Sequence, residues 1–207
     1  MNFLAHLYLS GDQPRVMVGN FIGDFVKGRN LATRFDSEIV LGIELHRAID
    51  HFTDTHKVVQ KSKKRIFGKY RHYSGVIVDV FYDHFLASKW SDYHTQPLAD
   101  FAQAAYRNLQ TNDALLPQEV KNFLPYMVKS NWLVGYSYVE GIQKALTGMA
   151  SRTPYVSHME KAADDLREQY EAFGGDFAAF FPQLKDFSAD YLMARNPGSQ
   201  GSHESPG

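Results

Sequence analysis

Two short windows of the chain concentrate side chains that bind metals and move protons. One reads His46-Arg-Ala-Ile-Asp50-His51-Phe-Thr-Asp54-Thr-His56, the other Asp79-Val-Phe-Tyr-Asp83-His84. In a helix, residues four apart lie on one face. His46 and Asp50 have that spacing, and so do Asp79 and Asp83. Ile39 and Ile43 extend the first line, and Val76, Val80 and Ala87 extend the second. Two apolar stripes that should face a core therefore carry an imidazole and carboxylates. A buried carboxylate is costly unless it is paired or coordinates a metal. The spacing predicts a metal held between two helices. Mixed imidazole and carboxylate donors suit Mn²⁺, Fe²⁺, Zn²⁺ or Mg²⁺. His51, Asp54 and His56 are candidates for orienting the ligands from outside. The plainer alternative is a set of caps, surface ion pairs and satisfied core histidines.

His6 and Asp24 are weaker candidates when taken alone. His6 interrupts an apolar opening, residues 1–9, and Asp24 follows Asn20 by four. Either joins the centre if the first two helices pack on it. The segment 55–72 holds Lys57, Lys61, Lys63, Lys64, Arg65, Lys69 and Arg71 with no Asp or Glu. Such a run is most often a solvated face. Its position between the two windows also suits docking of an acidic partner or of phosphate groups, with Lys57, Lys61, Lys64 and Arg65 as the contacts.

The elements that must position these groups read as helices throughout. Pro14 opens a helix expected to run to 27, with Gly28 ending it in the left-handed position. Asp36-Ser-Glu38 opens the His46 helix, with acid in its first turn. Gly68 is expected to break the basic segment. A long helix is expected over 70–93, and others over 97–110, 117–134 (with a kink at Pro125), 140–151, 155–173 and 176–195. Gly174-Gly175 reads as a turn. No alternating β-branched pattern persists. The expectation is all-α, about nine helices in one catalytic domain over 1–195. The small polar residues 196–207 read as a disordered tail.

Composition narrows the class further. The 207 residues carry 22 Lys plus Arg against 23 Asp plus Glu, so the whole-chain charge argues for neither nucleic acid nor membrane. There are no cysteines, which removes disulfides and thiolate ligands. The opening residues make a poor signal peptide, and no apolar window is long enough to span a bilayer. A cytoplasmic location is the expectation. Walker A, Gly-x-Gly-x-x-Gly, His-Glu-x-x-His and Gly-x-Ser-x-Gly patterns are all missing.

Several motifs, in order, resemble the acyl carrier protein phosphodiesterases. They are Met1-Asn-Phe-Leu-Ala-His6-Leu, Gly19-Asn-Phe-Ile-Gly-Asp24-Phe-Val-Lys-Gly28, Gly42-Ile-Glu-Leu-His46-Arg-Ala-Ile-Asp50, Phe52-Thr-Asp54-Thr-His56 and Val78-Asp79-Val-Phe-Tyr-Asp83-His84-Phe-Leu. That family is similar to a divergent branch of the helical, metal-dependent HD phosphohydrolases. Here the usual adjacent His-Asp pair is replaced by Asp83-His84 and by His46 and Asp50 four apart. The resemblance implies hydrolysis of the phosphodiester joining 4′-phosphopantetheine to a serine of holo-acyl carrier protein, with Mn²⁺ favoured and Mg²⁺ next. Spacing and resemblance together make Asp24, His46, Asp50, Asp79 and Asp83 the expected metal ligands, with Asp24, His6 and His84 in catalytic or supporting roles. The competing readings are an HD-type hydrolase of a small nucleotide phosphoester and a non-enzymatic helical module that binds an acidic protein.

Overall fold

A computed structural model of the chain describes residues 1–195. The tail expected over 196–207 lies outside the described residues. The described residues form α-helices joined by short loops and 3₁₀ turns, with no strand among them. In chain order these are α1 (Phe3–Tyr8), α2 (Pro14–Ile22), α3 (Ser37–Thr55), α4 (Lys57–Tyr70), α5 (Ser74–Ser88) and α6 (Leu98–Thr111). They continue with α7 (Gln118–Lys129), α8 (Trp132–Gly135), α9 (Val139–Ala150), α10 (Ala162–Glu168) and α11 (Tyr170–Arg195).

The helix α5 is the central one. Eleven of its 15 residues are buried, so most of its surface is covered by other parts of the chain. It packs against α1, α4, α9 and α11. The longest helix, α11, lays Phe173, Phe177 and Phe180 along it. Phe173 meets Phe81 edge-on at 5.1 Å, Phe177 stacks on Phe85 at 5.9 Å, and Phe180 lies 5.5 Å from Tyr82. Removing one such ring costs about 3–5 kcal/mol.

The pair α2 and α3 packs backbone to backbone. A Cβ on Gly19 would lie 2.2 Å from the Ile39 carbonyl oxygen, and one on Gly42 would lie 2.1 Å from that of Val16. Only glycine permits this approach. It brings the chain around Asn20 within hydrogen-bond reach of His46. At the start of α3 the Asp36 carboxylate accepts the amides of Glu38 and Ile39, each at 3.2 Å, as an N-cap does.

Several expected boundaries move for identifiable reasons. The helix from Pro14 stops at Ile22 and tightens into a 3₁₀ turn over Gly23–Phe25, ahead of Gly28 at φ 95°. Gly68 does not break α4, because Ile66 and Tyr70 are buried on either side of it and hold the last turn. The break comes instead at Arg71, with φ 50°. The expected long helix over 70–93 is α5 alone, followed by a short 3₁₀ turn. The stretch 117–134 divides at Asn131, which adopts a left-handed φ of 45°, while Pro125 lies inside α7. Gly174 and Gly175 are not a turn. They lie inside α11, where Gly174 lets the helix rest on the Phe85 ring.

Candidate metal centre

The centre is built from α1, α2 with its 3₁₀ extension, and α3. His6 and His46 are buried, and their rings stack at 4.0 Å between centroids, 17° from parallel. His46 Nε2 lies 3.1 Å from an Asp50 oxygen and 3.0 Å from an Asp24 oxygen. His6 Nε2 lies 3.3 Å from the other Asp50 oxygen. One ligand atom each from His6, His46 and Asp50 falls within a 4.8 Å sphere of separations. Asp24 closes the group on the solvent side, with 69% of its side chain exposed.

Asn20 sets both imidazoles. Its side-chain nitrogen donates to the His6 carbonyl at 2.7 Å and to Ser10 Oγ at 2.9 Å. Its side-chain oxygen is thereby turned to His6 Nδ1, which must donate to it, at 2.8 Å. The Asn20 backbone carbonyl accepts from His46 Nδ1 at 2.7 Å. Each ring therefore carries its fixed proton on Nδ1 and offers Nε2 to the centre. That is the tautomer a ligating histidine needs. His6 Nε2 is buried and has no hydrogen-bond partner among the described residues. Its approach to Asp50 sets a lone pair against a carboxylate oxygen.

The charges follow from this geometry. Burial, then the neighbouring His46, pulls the His6 pKa down to about 4. Burial also opposes charge on His46, but the hydrogen bonds to Asp24 and Asp50 outweigh it and push its pKa up to about 9. The hydrogen bond to His46 holds Asp24 below the usual carboxylate range. Burial would raise Asp50, yet the hydrogen bond from His46 and the Met1 ammonium hold it well below that range.

The second expected stripe meets the first only in part. Asp79 lies 3.2 Å from the Met1 amino nitrogen, which also lies 3.6 Å from Asp50. Burial raises the Asp79 pKa against that cation. Asp83 is fully buried and accepts the backbone amides of Leu4 at 2.7 Å and Ala5 at 3.2 Å, so it caps α1 from α5. Burial outweighs these two amides and pushes its pKa up to about 7. His84 donates from Nδ1 to the Tyr136 carbonyl at 2.8 Å, and its Nε2 takes the Tyr170 hydroxyl at 2.9 Å. Both of its nitrogens face these partners rather than the cluster. Val76, read as part of this stripe, is 37% exposed.

The outer candidates lie elsewhere. Asp54 pairs with Lys63 at 2.7 Å, His56 accepts the Val58 amide at the start of α4, and His51 is exposed. On the basic segment, Lys61 and Arg65 both bind Asp176, at 2.9 Å and 3.1 Å, beside Ser62. Lys57 and Lys64 are exposed and carry no ion pair among the described residues. Asn20 is the member that the spacing of acids and histidines does not pick out. Its only signal is its place four residues before Asp24.

Fold and site together define an all-helical protein with a half-open histidine–aspartate centre beside its first helices. A family model described as acyl carrier protein phosphodiesterase matches residues 1–184. Curated proteins named acyl carrier protein phosphodiesterase are similar over nearly their whole length. One from Photorhabdus laumondii is 30% identical over 90% of this chain and 94% of its own. One from Escherichia coli is 34% identical over 90% and 96%. One from Shigella boydii is 35% identical over 89% and 95%. No solved structure matches the chain. The chain belongs to the acyl carrier protein phosphodiesterase family. No helix among the described residues is long and apolar enough to cross a membrane.

Proposed function

We propose that this protein hydrolyses the phosphodiester that joins 4′-phosphopantetheine to the serine of holo-acyl carrier protein, releasing the apo carrier. The reading is carried by the family match across residues 1–184. The His/Asp centre agrees with it. The centre fits a divalent ion by its donor set and by the orphaned His6 Nε2, which faces a carboxylate with nothing between them. His6, His46 and Asp50 would hold the ion, with Asp24 at the open edge. Mn²⁺ is the ion we favour, then Mg²⁺, both at home with carboxylate and imidazole. When bound, such an ion supplies charge against the phosphate oxygens and makes water more acidic.

The remaining work falls to the chain. Asn20 aims both imidazoles. Asp24 is the most exposed carboxylate of the group, so it is placed to orient a water and accept its proton at Oδ2. Its low pKa keeps it ionised near neutrality. Asp83 holds the first turn of α1, and with it His6, at the correct height. Asp79 supports the cluster through the Met1 ammonium. His84 clasps α5 to the 135–139 loop and to α11.

The family resemblance supports reading the centre as a divergent relative of the HD phosphohydrolase type, with His46 and Asp50 four apart in place of an adjacent pair. The exposed Lys57 and Lys64, with the outer end of Lys61, present positive charge to an acidic carrier. Arg65 acts mainly by holding Asp176. The setting we infer is the cytosol, where no nucleic acid or membrane is needed as a partner.

The test is incubation with holo-carrier and Mn²⁺, following the mass of the carrier. The expected result is loss of the phosphopantetheinyl mass, blocked by a chelator. A carrier whose mass stays constant with both Mn²⁺ and Mg²⁺ would overturn the reading.

A further inference from the structure

A cavity of about 530 Å³ opens between α1, α8 and α9. Its walls are largely apolar: Phe3, Trp132, Tyr136 and Met149. Its volume falls within the range of pockets that hold small organic ligands. Lys144 and Arg152 stand on its lining as cations, and the one acid there, Glu140, is paired with Arg167.

The cavity is tied to the centre through α1. Phe3 is three residues before His6 on the same short helix, and its neighbour Leu4 is the residue that Asp83 caps. A row of rings also joins cavity and centre. Phe25, next to Asp24, lies 5.7 Å from Phe123, which lies 5.6 Å from Phe3 and stacks on Trp132 at 6.1 Å.

Gly148 shows that this space is kept open. It lies inside α9, and a Cβ built on it meets nothing within 4 Å. Gly135 on the same wall is equally unobstructed. Glycine weakens a helix interior, and neither packing nor backbone conformation requires it at 148. A side chain at 148 would enter the cavity.

We propose that this cavity receives the acyl end of an acylated phosphopantetheine arm, so that carriers loaded with a medium-length fatty acyl chain bind better than unloaded ones. The assignment rests on the hydrolytic reading above. The apolar walls suit the hydrocarbon, and Lys144 and Arg152 suit the acidic carrier.

The test compares holo-carrier with decanoyl-carrier, in the parent and in Gly148→Phe, with Gly148→Leu as the smaller filling. The parent should show a KM for decanoyl-carrier at least tenfold below that for holo-carrier. Both variants should lose that preference while keeping kcat and the KM for holo-carrier. A second readout needs no hydrolysis. Decanoyl-pantetheine should shift the Trp132 fluorescence of the parent and not of the filled variants. If carriers are hydrolysed but the parent shows no acyl preference, or the filled variants keep it, the cavity assignment falls alone. If no carrier is hydrolysed yet decanoyl-pantetheine binds and Gly148→Phe abolishes binding, the hydrolytic reading falls and the cavity assignment stands.

Discussion

The imidazoles of His6 and His46 lie face to face, 4.0 Å apart, with both Nε2 atoms against the Asp50 carboxylate. Stacked this closely, the two rings cannot both be cationic at low cost. His46 takes the proton and His6 stays neutral. A divalent ion would replace that proton with charge shared by both rings.

Metal binding should therefore compete with protons. Mn²⁺ affinity is expected to rise with pH up to about 9, the value to which the His46 pKa is pushed. Asn20→Ala should weaken it by about 10–100-fold, because the rings lose their aim. Electron paramagnetic resonance of free Mn²⁺ reads both effects. Affinity that is flat with pH and equal in the variant would remove these residues from the centre.

Asp24→Ala should cut turnover by about 10²–10⁴-fold. Its side chain is mostly exposed, so the melting temperature should stay within a degree or two of the parent. A folded variant that still releases 4′-phosphopantetheine at the parent rate would exclude Asp24 from the reaction.

The basic helix should separate into two behaviours. Charge reversal at Lys57 and Lys64 should slow association with the carrier and flatten its salt dependence, at constant stability. Reversal at Lys61 and Arg65 should lower stability as well, since both hold Asp176. Stopped-flow binding beside urea melts distinguishes the pairs. Identical outcomes for the two pairs would refute the division.

Asp176 gives a stability test away from the centre. Burial would raise its pKa, but Lys61, Ser62 and Arg65 hold it below the usual value. The folded value lies below the unfolded one, about 3.9. Its contribution is therefore present above that pH and is lost as the pH falls through the folded value. Asp176→Asn should cost about 1.5–3 kcal/mol at pH 7. The gap between variant and parent should close in acid, and a gap constant with pH would contradict this account.

The helical class was legible because apolar residues recur at helical spacing, and His46 and Asp50 were legible because they continue such a stripe. The breaks were harder to read. Gly68 and Gly174 look like stops locally, but buried neighbours on each side carry the helix through. Asp79 and Asp83 share a face in sequence, yet Asp83 is turned to the amides of α1, a partner 79 residues earlier that no local spacing reveals. Asn20 stayed hidden because it acts through orientation rather than by supplying charge.

The capping of α1 by Asp83 also sets the order in which this protein can become competent during synthesis. Six residues are too few for a helix to persist alone. His6, Asp24, His46 and Asp50 all emerge in the first quarter of the chain, but the carboxylate that fixes the His6 turn emerges only with α5. A nascent chain that ends before residue 83 has every member of the cluster, and Asn20 beside them, but lacks the carboxylate that holds the first turn of α1. The long-range contact between Leu4 and Asp83 makes assembly a late event. Metal capture should therefore be absent from ribosome-bound chains until α5 has cleared the exit.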